Sequence, residues 1–205
     1  MATNNFTQIR ELLKFDAPNQ FYFIQIIKRR KENPGLPTNA RVIRDFYIYS
    51  LEELDNLEER IISLCETENA RAYIRLNRRC AKRIAHEVLK SLANMLATEQ
   101  YSAIPKIYPK VAGQFHNETD KTWIIDIDDW DPTDTVRAEY YYKLCLAISD
   151  LQFPDKEKTV GVTIPTKTGL HLVTRPFNIA KLKLLFPDFN RDDVKKDNPT
   201  ILYCL

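Results

Sequence analysis

The sequence predicts an α+β fold: a single domain with a central mixed or antiparallel sheet that is flanked by helices. The chain has 205 residues, of which 44% are apolar and 28% are charged. This length and composition are those of a globular protein that can bury a proper core. Segments with the two-residue period of a strand alternate with segments that have the 3.6-residue period of a helix. Their order (strand, helix, strand, helix, strand, helix, hairpin, helix, strand) describes an α+β domain.

The first half of the chain predicts two strand–helix pairs after a less regular start. Residues 41–49 are rich in β-branched and aromatic side chains, which favours a strand. A capping box of Ser50 and Glu53 then begins a helix. Apolar and polar residues alternate over 71–76, which predicts a second strand, and the apolar stripe of a long helix follows over 79–98.

The second half predicts the remaining elements after an irregular connection at 101–121. An apolar strand over 123–128 comes first, and Asp131-Pro132 has the form of the N-cap and first residue of a helix. The further predicted elements are, in order, a helix at 132–151, a strand at 159–164, a turn at 165–169, a return strand at 170–175, a helix at 179–186 and a strand at 200–205.

Two aspartates project from one face of the strand at 123–128. Asp126 and Asp128 point the same way, because strand side chains alternate between faces. The apolar residues that alternate with them, Trp123, Ile125 and Ile127, then face the opposite side and can be buried. Adjacent carboxylates raise each other's pKa unless a cation lies between them, and Mg²⁺ or Mn²⁺ is the usual cation. The pair is therefore a candidate half of a phosphoryl-transfer site.

Other interpretations of this stretch stay open. An Asp-rich segment at a strand end often forms only a turn, and it can also be a solvated acidic edge. A calcium-binding loop is disfavoured, because no glycine and no twelfth-position glutamate follow at the required spacing. The Asp-x-Asp pattern alone leaves metal binding as a hypothesis that needs structural context.

The composition predicts a cytoplasmic protein with no membrane partner. No apolar run approaches the ~20 residues that span a bilayer, and the N-terminus lacks the pattern of a secretory signal. The four cysteines are scattered without a Cys-x-x-Cys pair, which argues against structural zinc and for a reducing compartment. With four glycines in the chain, no P-loop and no dinucleotide-binding fingerprint can be written.

Charge is segregated along the chain although the net charge is only +2. Basic residues cluster at 28–31 and at 71–83, and acidic residues cluster at 126–134. Separate basic and acidic regions fit a protein that holds a polyanion with one surface and metals with another.

The basic stretch that begins at Arg71 is a candidate nucleic-acid surface. Arg71, Tyr73 and Arg75 share one face of the predicted strand, where phosphate-binding charges flank a ring that can stack on a base. Arg78 and Arg79 continue the basic stretch towards the next helix. A solvated sheet edge explains the same strand equally well.

A second candidate site lies in the turn and return strand of the predicted hairpin. Lys167 and His171 can both contact a phosphate, and Thr168 supplies a hydroxyl donor. Gly169 allows a tight turn or a close approach to a ligand. One helix and one hairpin separate this segment from the aspartates, and that connection can place the two strands side by side in one sheet. A lone histidine on a strand is more often structural, so this role also stays open.

Together these segments resemble the archaeo-eukaryotic primase superfamily. The family's motifs are an apolar strand that ends in Asp-x-Asp, a strand with a small residue two positions before a histidine, and a late acid with apolar flanks. Ile125-Asp126-Ile127-Asp128 is similar to the first motif and Gly169-Leu170-His171 to the second, in the same order and with similar spacing. The resemblance covers about 123–205, and Gly169 stands where the family commonly has serine or threonine.

The resemblance implies a minimal primase-like catalytic domain over 1–205, of a kind found in phages and mobile elements. Residues 1–100 would be its basic half, and 121–205 an RRM-like half that binds metals and nucleotide. In the family, the aspartates bind two divalent ions and the histidine contacts the phosphates of the incoming nucleotide.

The implied site residues follow from the matched positions. The Mg²⁺ or Mn²⁺ ligands would be Asp126, Asp128 and Asp197, with Asp193 and Asp188 as alternatives for the third position. His171 would be catalytic together with the first two aspartates. The implied nucleotide-binding residues are Lys167, Thr168, His171 and Arg175.

The implied activity is transfer of nucleotides onto a chain along a nucleic-acid template. Its partners would be nucleoside triphosphates, single-stranded or primed nucleic acid, and replication proteins. A metal-dependent nuclease or phosphoesterase could use the same residues with water as the nucleophile. A non-catalytic phage or mobile-element factor that binds nucleic acid or protein is the third interpretation.

Overall fold

Strands and helices account for most of the chain. The computed structural model describes residues 2–117, 120–128, 130–131, 133–152, 160–197 and 199–205. The strands are β1 (Thr3–Asn4), β2 (Gln20–Arg29), β3 (Ala40–Ile48), β4 (Arg71–Cys80), β5 (Trp123–Asp128), β6 (Val160–Pro165), β7 (Gly169–Thr174), β8 (Val194–Lys195) and β9 (Thr200–Cys204). The helices are α1 (Phe6–Leu12), α2 (Leu51–Glu68), α3 (Ala81–Ala97), α4 (Ile107–Gln114), α5 (Thr135–Leu151) and α6 (Ile179–Leu185). Short 3₁₀ segments at Tyr101–Lys106 and Arg191–Asp193 precede α4 and β8.

Over the described residues, the strands form two antiparallel sheets. Sheet A has the strand order β1-β9-β4-β2-β3, and sheet B has the order β6-β7-β5-β8. All neighbouring strands run antiparallel. The predicted α+β class is thereby confirmed. Of the two sheet types that the sequence left open, mixed or antiparallel, the described strands form the antiparallel one. The strands of the two sequence motifs, β5 and β7, are direct neighbours in sheet B, as expected.

Helices cover both faces of sheet A. Ile24, Ile26 and Ile74 point to one face, where they pack with α1 and α2. Phe21 and Phe23 point to the other face and pack with α3 and α4. The alternation along β2 follows from the two-residue period of a strand. Each face of this sheet therefore has its own apolar core.

Sheet B has one helix-covered face and one face turned towards sheet A. Ile125 and Ile127 pack against α5 and α6, as predicted for the side chains opposite the two aspartates. Ile164 and Val173 point to the other face and join the core formed by sheet A, α1 and α2. The two aspartates therefore project on the side of sheet B that faces sheet A.

The strand β4 is longer than the sequence predicts. The pattern predicts a strand at 71–76 and a helix from residue 79, whereas β4 continues through Cys80 before α3 begins. The strand continues because β2 pairs with it along this whole length, with Phe21 opposite Arg79. The pairing shifts register between Phe21 and Phe23 of β2, which lie opposite Arg79 and Arg75, so β4 has two extra residues there and its simple alternation is interrupted.

Side-chain caps fix the starts of two helices. Ser50 accepts a hydrogen bond from the backbone N–H of Glu53 at 3.1 Å, which confirms the predicted cap. The helix expected from residue 132 begins instead at Thr135, because Asp134 rather than Asp131 is its N-cap. The Asp134 carboxylate accepts hydrogen bonds from two first-turn N–H groups, at 3.1 and 3.0 Å.

Some predictions fall on residues outside the described ranges. Pro132, the expected first residue of a helix, and Thr159, the expected first residue of a strand, are two of these. In the part of the chain that is described, none of the helices combines the length and the apolar character needed to cross a membrane.

Candidate functional site

Asp126 and His171 form the centre of the candidate site. Antiparallel pairing of β5 with β7 puts Asp126 opposite His171 and Asp128 opposite Gly169. The Nε2 atom of His171 lies 3.3 Å from Oδ1 of Asp126. The predicted adjacency of the two motif strands is thus confirmed, and it brings a carboxylate pair and an imidazole to one surface.

The imidazole of His171 is held from both of its nitrogens. Its Nδ1 atom lies 2.8 Å from the Oγ1 atom of Thr200, a fully buried residue of β9. Because β9 belongs to sheet A, this hydrogen bond links the two sheets at the site. The second ring nitrogen is then directed towards Asp126, so that the ring orientation is fixed before any ligand binds.

The environment of Asp126 favours its charged form. The hydrogen bond with His171 is the largest influence on the pKa of Asp126 and lowers it. Partial burial opposes this effect, and the positive charge of Lys195 adds to the lowering. Asp126 therefore stays a carboxylate at neutral pH, as a metal ligand must.

A third acid, Asp193, lies beside the pair. The strand β8 pairs with β5 on the side away from β7, with Val194 opposite Ile125, so Asp193 comes next to Asp126 in register. Burial raises the pKa of Asp193, and the negative charges of Asp126 and Asp128 raise it further. The charge of Lys195 opposes these effects, and Asp193 therefore lies within electrostatic reach of the two aspartates of β5.

Asp197, the expected third ligand, is engaged elsewhere. Its Oδ2 atom lies 2.7 Å from the Nη2 atom of the fully buried Arg79 and 3.5 Å from Nη1 of Arg75. Its Oδ1 atom accepts a hydrogen bond from the amide of Asn77 at 3.0 Å. These contacts neutralise buried charge, so we replace Asp197 with Asp193 as the third candidate acid. Asp188, the other alternative, is exposed.

Asp126 and Asp128 line a cleft of about 870 Å³ between the two sheets, and Asp193 lies outside its lining. Sheet B and its β6–β7 turn supply Asp126, Asp128, Thr166, Lys167, Thr168 and His171. Sheet A and the segments at its ends supply Arg29, Lys31, Glu32, Asn69, Arg71, Tyr73, Pro199 and Ile201. The cleft therefore combines the two aspartates of sheet B with cations from both sheets, an arrangement that suits a metal-bound phosphate ester.

The predicted nucleic-acid residues separate into two groups. Arg71 and Tyr73 line the cleft. Arg75 pairs with Asp197, and Arg78 pairs with Asp16 and Asp120, whereas Arg79 has no exposed surface. Burial lowers the pKa of Arg79 to about 10.

The prediction of Arg79 as a nucleic-acid contact is therefore corrected. The Arg79 guanidinium donates to the carbonyl oxygen of Ala112 at 2.8 Å and to Asp197, and no solvent reaches it. The sequence pattern missed this because arginine is rarely fully buried unless it is paired.

The predicted nucleotide-binding residues are also only partly assembled. Lys167, Thr168 and His171 line the cleft, and Arg175 does not. The Nε atom of Arg175 is buried without a hydrogen-bond partner among the described residues. Sequence reasoning missed Arg29 and Lys31 as cleft residues, although the basic cluster at 28–31 was a signal for them.

Gly169 is required by a close approach of two backbones. A Cβ atom at this position would lie 2.0 Å from the carbonyl oxygen of Ile127 on β5. Since real Cβ atoms do not approach that closely, any other residue would push β7 away from β5. The close approach of the two strands therefore requires glycine at this position.

The carboxylates of the cleft supply part of the ligand set that a divalent ion needs. Within the described ranges, no group of three or more His, Cys, Asp or Glu side chains is arranged to hold a metal by itself. Mg²⁺ sites in phosphoryl-transfer proteins commonly use one or two carboxylates and complete the coordination with water and substrate phosphates. Asp126 and Asp128, which project into the cleft from one strand face, match that donor set.

Comparison of the chain with models of known protein families, with curated protein sequences and with solved structures found no match. Any functional assignment therefore depends on the geometry of the cleft and on the motifs within it.

Proposed function

We propose that the protein is a metal-dependent nucleotidyltransferase that resembles a DNA primase or polymerase and joins nucleotides on a nucleic-acid template. One observation carries the proposal: Asp126, Asp128 and His171 share a cleft with cations contributed by both sheets. The resemblance of these motifs to the archaeo-eukaryotic primase superfamily supports the same chemistry.

The carboxylates would hold Mg²⁺ or Mn²⁺. Asp126 and Asp128 face the cleft, and Asp193 lies within electrostatic reach of them. When bound, the ions would lower the pKa of an attacking 3′-hydroxyl and neutralise charge on the leaving pyrophosphate. The protein itself would position the reacting groups and stabilise the charge that develops during the reaction.

The cationic side of the cleft would bind the triphosphate. Lys167 and Thr168 belong to the β6–β7 turn, and Arg71 approaches from sheet A. The Arg71 guanidinium is itself held by an ion pair with Glu32, which fixes its direction. His171, held by Thr200 through Nδ1, would donate its Nε2–H to a phosphate oxygen in place of Asp126 when Asp126 binds a metal ion.

Calorimetric titration of Mn²⁺ with a nucleoside triphosphate tests the proposal. The double substitution Asp126→Asn/Asp128→Asn should reduce metal-dependent nucleotide affinity by more than about 100-fold, since residues that only support metal ligands are already worth about 10–100-fold. The matched control is Asp150→Asn/Asp188→Asn, which removes two exposed carboxylates outside the cleft. Nucleotide binding by the folded Asp126→Asn/Asp128→Asn protein at wild-type affinity would contradict the proposal.

A nuclease or phosphoesterase is the second candidate. The contact between His171 and Asp126 favours it, because such a pair can accept a proton from an attacking water. Release of pyrophosphate from nucleoside triphosphates would identify the transferase, whereas shortening of an added oligonucleotide without triphosphate consumption would identify the nuclease. Mg²⁺-independent binding with neither reaction would identify a non-catalytic factor.

A cytoplasmic location is part of the proposal. All four cysteines are described, and all four are free thiols. Free thiols on scattered positions suit a reducing compartment, where nucleoside triphosphates and replication proteins are available as partners.

A further inference from the structure

We infer that a basic groove beside the cleft holds the single-stranded part of a nucleic-acid template. The groove has a volume of about 980 Å³ and lies between β3 and the segment that joins the 3₁₀ turn to α4. This inference rests on the proposed function and gives it a path for the template, which Arg75, Arg78 and Arg79 cannot provide.

The charges of the groove are strongly one-sided. Arg41 and Arg44 line it from β3, and Lys106 and Lys110 line it from the opposite wall. Its one acidic lining residue is Asp45, whose carboxylate already accepts a hydrogen bond from Gln25 at 3.0 Å. A groove with four cations and one occupied carboxylate attracts a polyanion.

These four cations differ from the arginines of β4. Among the described residues, Arg41, Arg44, Lys106 and Lys110 have no ion-pair or hydrogen-bond partner for their side chains, and all four are exposed. By contrast, Arg75, Arg78 and Arg79 are paired with carboxylates. The groove therefore keeps its positive charge available for a ligand.

Protection of a sheet edge can explain the cations of β3, Arg41 and Arg44, but not the two lysines on the opposite wall of the groove. The strand β3 is at the edge of sheet A, and charged side chains on edge strands discourage pairing with other chains. Lys106 and Lys110 lie four residues apart on the facing segment, where no strand edge needs protection. Convergence of cations from two separate elements is better explained by a shared anionic ligand.

Neighbouring residues of sheet A connect the groove with the cleft. Tyr73 lines the cleft and Gln25 lines the groove, and the two are directly paired across β4 and β2. Gln25 in turn pairs with Asp45 on β3. Since paired residues share a face and strands lie about 4.8 Å apart, the half-buried Tyr73 and Asp45 are separated by about 10 Å on the same face of sheet A.

This surface suits a single nucleic-acid strand better than a duplex whose base edges are read in a groove. The groove offers cations for phosphates and a sheet face for bases, which is how sequence-independent single-strand binding works. A strand that crosses sheet A from the groove would reach Tyr73 and then the acids of the cleft. The template would thus approach the bound nucleotide from the side of β3.

The test is fluorescence anisotropy with a labelled single-stranded oligonucleotide of mixed sequence, prepared as DNA and as RNA. The variant is Arg41→Ala/Lys106→Ala/Lys110→Ala. The matched control is Lys14→Ala/Lys143→Ala/Lys181→Ala, which removes three exposed cations outside both the groove and the cleft. Circular dichroism establishes whether both variants fold. If the triple variant does not fold, the single variant Lys110→Ala replaces it, and we expect a smaller loss of oligonucleotide affinity.

We expect the groove variant to bind the oligonucleotide at least about tenfold more weakly than wild type at moderate salt. The slope of log affinity against log salt should fall by about 2, because each lost phosphate contact on a single strand is worth about 0.7. The control variant should keep the wild-type affinity and slope. Comparing the DNA and RNA oligonucleotides identifies the kind of template.

Several results would overturn the inference. Wild-type oligonucleotide affinity in the groove variant would exclude the groove, and so would absence of oligonucleotide binding by wild type. Equal competition by polyglutamate at the same salt would point to an acidic protein partner instead. Mn²⁺-dependent nucleotide binding measured on the same groove variant separates the two proposals, because it should be retained even where the template path fails.

Discussion

Asp193 and Asp197 are four residues apart and serve different purposes. Asp197 neutralises the buried Arg79, whereas Asp193 repels Asp126 and Asp128. Asp197 comes shortly before the apolar strand β9, whereas Asp193 precedes β8, which consists of Val194 and Lys195. The distinction depends on which residues the sheets bring next to each one, and a two-residue strand such as β8 leaves almost no signal in the sequence.

Asp193→Asn should stabilise the metal-free protein at neutral pH. Burial and the two neighbouring carboxylates raise the pKa of Asp193 in the folded state, so its ionised form is disfavoured there. The gain should be complete above the folded-state pKa and should disappear as the pH falls below the unfolded-state pKa. Urea unfolding of wild type and Asp193→Asn in EDTA over a pH series measures this gain in the free energy of unfolding. A loss of stability at neutral pH would show that Asp193 is not repelled by the other two aspartates.

Gly169→Ala should destabilise the protein by about 1–3 kcal/mol, the usual range for a side chain forced into packed structure. The added methyl would collide with the carbonyl oxygen of Ile127 and push β7 away from β5. Gly35→Ala is the matched control, because nothing lies within 4 Å of the added Cβ there. Denaturant unfolding compares the two, and an equal small effect at both positions would show that β7 can shift freely.

At the scale of elements, the two ends of β4 perform different tasks. Its first residues, Arg71 and Tyr73, border the cleft, while its last residues turn charged side chains inward. Arg79 is tolerated in the interior because Asp197, delivered by the connection between β8 and β9, lies 2.7 Å away. The pair therefore ties the segment after sheet B to the central strands of sheet A.

Asp197→Ala should destabilise the fold by about 3–5 kcal/mol, because removal of one partner leaves a buried charge uncompensated. Asp188→Ala, at an exposed position, should cost less than about 0.5 kcal/mol. Thermal and urea unfolding measure both. A cost for Asp197→Ala as small as that of the control would mean that Arg79 finds another partner.

Elements with a local signal were predictable, and those that depend on distant partners were not. The α2 cap, the β6–β7 hairpin and the alternation of β5 all follow from residues close in sequence. β2 is not predicted as a strand from the sequence, because its aromatic residues run together without alternation and its basic end at Lys28 and Arg29 has the composition of a surface loop. The start of α5 was misplaced because Asp131 and Asp134 are both suitable caps, and only the backbone path selects one.

At the scale of the molecule, the candidate site belongs to neither sheet alone. Sheet B supplies the acids and the histidine, and sheet A supplies Arg29, Lys31, Arg71 and the hydroxyl of Thr200. The sequence indicated the motif residues of sheet B, because motif and element coincide there. It could not indicate which cations of sheet A face them, since that depends on how the two sheets pack.

The position of β9 in sheet A has a consequence for synthesis of the chain. β9 lies between β1 and β4, yet it follows every strand of sheet B in the chain. During translation, β2, β3 and β4 can pair early, while β1 has no neighbour in sheet A until residues 200–204 leave the ribosome. Thr200 arrives with that strand, so a nascent protein can display both aspartates and His171 before the imidazole is held in place. The order of synthesis thus delays completion of the site until after the surfaces around it have formed.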